Sequence, residues 1–548
     1  MKIKFNQVLF EMAGGCLVLA LFSQWMRLPI SFQGVWMSPD ETANALSAAA
    51  FADHVNFALP YGLADGFPWA VPRSFVPMVG QGTIVPVGFL GLSFILAGIY
   101  KLLGALGLLF FTPLLALATL WPLYRSMPRV WSKAARYMAL LVWMSFPVVI
   151  LYANRGLFPN LALVCLAIWT WWLLAEAKGI WSWPAAGLAL GMALIMRPPE
   201  AVWLIPLAIA AIATHVRQSA DDKSASPSRT SGPADQRTRL KLRLILVVVP
   251  LLIVLGVGAY LGKQTYGHWF ISGYQVRPDY AATTEVRESA DDKSASPQAA
   301  AQSVPVWQTL PFSLHPKNIA WNAWHYLGRF LWPWTLLVLV WFGFWIKDKG
   351  WSKSDKWTIG TLAWTAGWLV AFYGNGIYQD HVGVNYASMG NSFLRYLLPL
   401  SVMAALTFGS LANRLWKSWT TRALAICLVV MLVAIGSWSA LTRDDESVQA
   451  NQAELARYAD IRRETQTWLW PQTVVLSDRS DKIFFPYFPA VSPLPDPKSI
   501  KALLDKELIV TAFLTTQDEA GLRKWEDDGL YLELLFTNGR QSLYDVSE

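Results

Sequence analysis

The chain has 548 residues, 54% of them hydrophobic and only 15% charged, with 45 Lys and Arg against 37 Asp and Glu for a net charge of +8. Long apolar runs recur from residue 8 to 441, more than a globular core would bury, which excludes a soluble multidomain protein. The 30 tryptophans suit many membrane–water interfaces, and the positive balance reads as loop charge rather than a nucleic-acid footprint.

Lys2 and Lys4 precede an apolar stretch with no small-residue cleavage site after it. Residues 8–26 are therefore expected to be a retained membrane helix. Next comes Ser38-Pro39-Asp40-Glu41-Thr42-Ala43-Asn44, an acidic pair in an otherwise apolar and aromatic loop. Two adjacent carboxylates at a membrane mouth can bind a divalent cation or take a proton from a hydroxyl. They also suit a helix start, with Pro39 and Asp40 in the first turn and acid at the positive end of the dipole. Spacing alone leaves both readings open.

Further apolar spans are expected near 83–101, 104–123, 137–153, 160–177, 181–195, 198–214, 244–262, 326–346, 357–374, 393–411 and 422–441. Arg197-Pro198-Pro199-Glu200 marks a tight turn or a broken helix. Arg125, Arg129, Lys133 and Arg136 crowd one loop, seven more bases lie in 217–243, four in 347–356 and three in 414–422. Residues 27–82 hold only Arg27 and Arg73, and 374–392 hold no base. The positive-inside rule puts the first group in the cytoplasm and the second outside. Parity then requires that 83–101 not cross but dip in as a re-entrant or interfacial helix, which leaves about eleven crossings. The N-terminus is inside and everything after 441 outside.

The sequence Ser-Ala-Asp-Asp-Lys-Ser-Ala-Ser-Pro stands at 219–227 and again at 289–297. It has the composition of a disordered linker, and the topology puts its copies on opposite sides, so it reads as dispensable loop sequence. Cys16, Cys165 and Cys427 lie in apolar runs at unrelated spacings and read as small buried residues, with no disulfide framework. From 445 the pattern changes to a helix at 454–468 and short strands at 473–476, 508–511, 531–536 and 543–546, with helical stretches near 498–506 and 517–527. This is a small α/β domain.

Candidate chemistry gathers in the loops assigned to the exterior. Besides Asp40 and Glu41 these hold Arg73, Arg155 and His381, with Arg197 near the same face. Arg395-Tyr396-Leu397-Leu398-Pro399 opens a late helix. An arginine entering an apolar helix costs ~2.5–3.5 kcal/mol at the bilayer centre. Arg395 either snorkels to the interface or grips a phosphate with its guanidinium fork. His381 alone reads as an ordinary loop histidine.

Several features in this order resemble the GT-C superfamily of polytopic glycosyltransferases, including protein O-mannosyltransferases and aminoarabinose transferases. They are the short N-terminus and first helix, the long loop opening on Asp40-Glu41, the return through Pro72-Arg73-Ser74 into the helix ending Tyr100-Lys101-Leu102-Leu103-Gly104, and Arg395-Tyr396-Leu397-Leu398-Pro399.

The resemblance covers about 1–441 and implies an all-α polytopic membrane domain, expected over 1–444 with a first exterior loop at 27–82; the residue pattern adds an exterior α/β accessory domain at 445–548. It implies a prokaryotic cytoplasmic membrane, a polyprenyl-phosphate sugar donor and a glycan, lipid or protein acceptor. Asp40 and Glu41 become the catalytic candidates, as base or as ligands of a divalent cation. Arg73, Arg155, Arg197, His381, Arg395 and Tyr396 become the substrate-binding candidates. The loop Asn154-Arg155-Gly156-Leu157-Phe158-Pro159-Asn160 lacks the acid several relatives carry there, which argues against a two-carboxylate metal site. The rivals are a transporter or flippase of a lipid-linked or anionic substrate, and a non-catalytic scaffold in which Asp40-Glu41 is a plain helix start.

Overall fold

The structure is a computed structural model. It describes residues 15, 20–23, 27, 34–177, 179–224, 233–276, 315–347, 353–376, 378, 388–443, 446–515, 523, 525–539 and 541–548. Helical residues 219–224, 233–237, 239, 345–347 and 353–358 are described by backbone alone. His381, the second copy of the repeat and most of 8–26 and 517–524 lie outside the described residues. The chain divides into two compact units, one of residues 1–29, 109–257 and 302–450, the other of 30–108, 258–301 and 451–548.

The first unit is helical, and prolines set where its helices begin. Pro147, Pro159, Pro198, Pro316 and Pro399 each stand in a first turn, where a missing N–H costs nothing. The same residue type breaks helices expected to be continuous. The span expected at 137–153 is two helices, Lys133–Met144 and Pro147–Asn154, bent by 57°. Pro147 cannot donate to the preceding turn, and it holds Phe146 in an extended conformation. The region expected at 326–346 comprises Pro316–Phe330 and Trp332–Phe344, bent by 96°, with a π-helical turn over Ala323–Phe330. The span expected at 393–411 is likewise split into Ser392–Tyr396 and Pro399–Leu415.

Among the described residues four helices are long and apolar enough to cross a membrane, or six if each bent pair is one span. Cys165 is buried, whereas Cys427 is exposed on the apolar helix Trp419–Thr442, contrary to the expectation for it.

Small residues let helices of this unit approach closely. Gly187 and Gly191, one turn apart, face the helix that continues through Val247 and Val254. A Cβ on Gly187 would sit 2.2 Å from the Val247 carbonyl oxygen, and one on Gly191 2.8 Å from Val254 Cβ. Such backbone approach is the usual means of association where lipid removes the hydrophobic drive.

The helix Leu90–Ser126 has 37 residues, about 55 Å at ~1.5 Å per residue, against a hydrocarbon core of ~30 Å. It is interrupted at Gly104, whose φ of 61° and ψ of −152° suit glycine alone. Helix was expected from residue 83, but Thr83–Pro86, rich in β-branched side chains, is a strand.

The second unit holds both sheets. Strands β1 (Leu59–Pro60), β2 (Phe75–Met78) and β3 (Thr83–Pro86) form an antiparallel sheet in the order β1-β3-β2. Strands β4 (Val474–Ser477), β5 (Ala490–Val491), β6 (Val510–Thr515), β7 (Tyr531–Asn538) and β8 (Gln541–Ser547) form a second sheet, ordered β5-β4-β6-β8-β7. β4 runs parallel to β5 and β6, and all four of its residues are buried, as a central parallel strand requires.

One hydrophobic core serves both parts. Tyr61, Ala64, Val71, Phe75 and Ile84 from the first loop pack in the same cluster as Val474, Leu476, Phe484, Val510, Phe513 and Leu543. Polar ties reinforce it, with Tyr61 Oη donating to the Ala490 carbonyl at 2.9 Å and Ser492 N to the Val71 carbonyl at 3.2 Å.

Candidate functional site

In the second unit the acidic pair opens the helix Pro39–His54. Ser38 is its N-cap, accepting a hydrogen bond from Glu41 N at 3.2 Å, and Pro39 fills the first turn. The cap is therefore Ser38 and not Asp40. Asp40 Oδ1 accepts from Ser74 Oγ at 2.6 Å, and Glu41 is 3% exposed. Among the described residues no three of His, Cys, Asp and Glu come together as metal ligands would.

Arg73, expected at the substrate, is engaged within this unit. Its Nε donates to Asp481 Oδ1 and its backbone N to Asp481 Oδ2, both at 2.8 Å, and the guanidinium also reaches the Arg479 carbonyl. Asp481 is 1% exposed.

In the first unit four of the expected residues converge. Arg197 Nε donates to Glu200 Oε1 at 3.0 Å, and its Nη2 to Tyr373 Oη at 3.0 Å. Glu200 also accepts from Tyr373 Oη and from Trp203 Nε1, both at 2.5 Å. The Tyr373 ring stacks on Tyr396 at 4.0 Å, and the Arg197 guanidinium lies over Tyr396 at 4.6 Å. Arg395 lies 5.3 Å from the Tyr396 ring and 4.7 Å from that of Phe158, and Arg155 lies 4.8 Å from Phe158 as well.

The result is a continuous ladder, Glu200–Arg197–Tyr396–Arg395–Phe158–Arg155. Cation–π contacts contribute ~0.5–2 kcal/mol each when desolvated, enough to hold each guanidinium at a ring face. Arg155 and Arg395, on one ring, are less than about 10 Å apart. Local breaks position the members. Arg155 ends the short helix Pro147–Asn154, Arg197 ends Ser182–Met196 before Pro198, and Arg395 sits in the five-residue helix Ser392–Tyr396.

Glu200 stood three residues after Arg197 and was visible as a spaced pair. Phe158 and Tyr373 had no signal of their own among 27 Phe and 18 Tyr.

Fold and ladder define a helical protein with membrane-length apolar helices and clustered guanidinium groups. Residues 88–225 match the family described as dolichyl-phosphate-mannose-protein mannosyltransferase. No curated protein sequence matches the chain. Similar solved structures include ArnT from Cupriavidus metallidurans in the apo state, at 11% identity and a TM-score of 0.48, covering 99% of this chain and 98% of that one. The same protein bound to undecaprenyl phosphate matches at 12% identity and 0.49, covering 96% and 97%. The arabinofuranosyltransferase AftD from Mycobacteria matches at 10% identity and 0.43, covering 98% of this chain but 40% of that one.

Proposed function

We propose that the protein is an integral-membrane glycosyltransferase that moves a sugar from a polyprenyl-phosphate donor to an acceptor outside the cytoplasm. The observation that carries this reading is the ladder that brings Arg155, Arg197 and Arg395 together. A departing lipid phosphate gains charge in the transition state, and preorganised guanidinium groups stabilise it in a dry site. Asp40 takes the proton from the acceptor hydroxyl, so that the oxygen attacks the anomeric carbon as the phosphate leaves. Tyr396 holds Arg197 and Arg395 in place through its ring. Substrate binding by His381 and an accessory role for the segment 445–548 belong to the same proposal. The direct test supplies purified protein with polyprenyl-phosphate sugars and measures release of polyprenyl phosphate; none released with any donor overturns it.

Arg395→Lys keeps the charge but loses the fork. Donor affinity is expected to fall by about tenfold while melting stays within a few degrees, since one charged hydrogen bond is worth ~1.5–3 kcal/mol. Unchanged donor binding returns Arg395 to snorkelling.

The proposed topology has about eleven crossings and an exterior C-terminus. A reporter active only outside the cytoplasm should work when fused after 443 and fail after 130 or 350. Activity at 130 means that the segment before Gly104 crosses.

A second reading, a transporter, is favoured by the two bent helix pairs, since broken helices line transport sites. It predicts translocation of the lipid donor without cleavage of its sugar.

A further inference from the structure

Ser74 has a φ of +64°, in the left-handed region that a non-glycine side chain enters only at a cost. It is held there from both sides. Before it, Arg73 is fixed to Asp481 through its backbone N, Nε and guanidinium. After it, Phe75 enters β2, registered opposite Pro86 of β3, and the Ser74 carbonyl accepts from Val87 N at 2.8 Å. The strained backbone aims Oγ at Asp40, 2.6 Å from Oδ1.

We infer that Asp481, through Arg73 and Ser74, is a positioning residue that orients the Asp40 carboxylate, so that the C-terminal segment sets the geometry of the base. The inference rests on the role proposed above for Asp40. Asp481 stands four residues after the end of β4, at the start of the short helix Asp481–Phe484, and is buried. Its place is thereby fixed by the core of the second unit. A carboxylate has two oxygens and a free torsion, and a hydroxyl bonded to one oxygen selects which lone pairs face the acceptor.

The strain separates this role from a structural one. Ser74→Gly removes the CH2OH side chain, and with its Cβ the φ penalty, so it should melt at or above the wild-type temperature. With purified full-length protein and a polyprenyl-phosphate sugar, kcat should fall about tenfold with KM for the lipid donor unchanged, since lost orientation costs up to ~10²-fold. Asp481→Asn should lower kcat in the same sense.

The double variant should be no slower than Ser74→Gly, because Asp481 acts through Ser74. Multiplied losses in the double variant, or wild-type kcat in Ser74→Gly, overturn the inference. Asp40→Asn run beside them separates the two claims. If it is fully active, the role proposed for Asp40 as base fails and the positioning role with it; if it is inactive while Ser74→Gly is normal, the positioning role alone fails.

Discussion

Asp40→Asn protein is expected to insert and melt like wild type yet transfer sugar ~10²–10⁴-fold more slowly, the usual contribution of a general base. Its effect on stability should be small because Ser38, not Asp40, caps the helix. The substitution removes a dipole interaction of ~0.3–1 kcal/mol and leaves an amide oxygen that still accepts from Ser74. What it removes is the basicity. Glu41→Gln is the control, with a smaller loss expected. Transfer by Asp40→Asn within threefold of wild type would leave the pair as a helix start only.

Glu200→Ala should damage both stability and turnover. It strands the Arg197 guanidinium and leaves Tyr373 and Trp203 without their shared acceptor. Breaking a buried pair from one side costs ~3–5 kcal/mol, visible as a large fall in melting temperature in detergent. Replacing both members, as in Arg197→Met with Glu200→Met, should recover most of the stability, because no unpaired charge remains. Transfer should stay low in that double variant. If activity returns together with stability, Arg197 serves packing and the ladder must be redrawn without it.

Several of the apolar helices could be read from their residues, because a run of apolar side chains and the cost of an arginine within it are local properties. That cost is why Arg395 stood out, whereas Arg155 and Arg197 stood out as bases in turns near the face assigned to the exterior. The strands β4 and β6 were legible for the same reason, since their runs with β-branched residues are short and bounded. β2 and β3 were missed because Pro77 and Pro86 sit within runs that otherwise read as loop and apolar helix. The breaks at Ser145 and Leu331 hid inside continuous hydropathy, where only a following proline hints that the backbone turns. The tie from Arg73 to Asp481 had no local trace at all: each is an ordinary charged loop residue until the fold brings them together.

The shared core of the second unit also sets an order of events during synthesis. Arg73 and Asp481 are 408 positions apart. At ~5–20 residues per second the ribosome needs about 20–80 s to deliver the second after the first. Throughout that interval Tyr61, Val71, Phe75 and Ile84 have been made, but the sheet that covers them has not. A segment with apolar side chains and unpaired strand edges invites aggregation unless something holds it. The last hundred or so residues to be translated therefore decide when the first loop stops needing a chaperone.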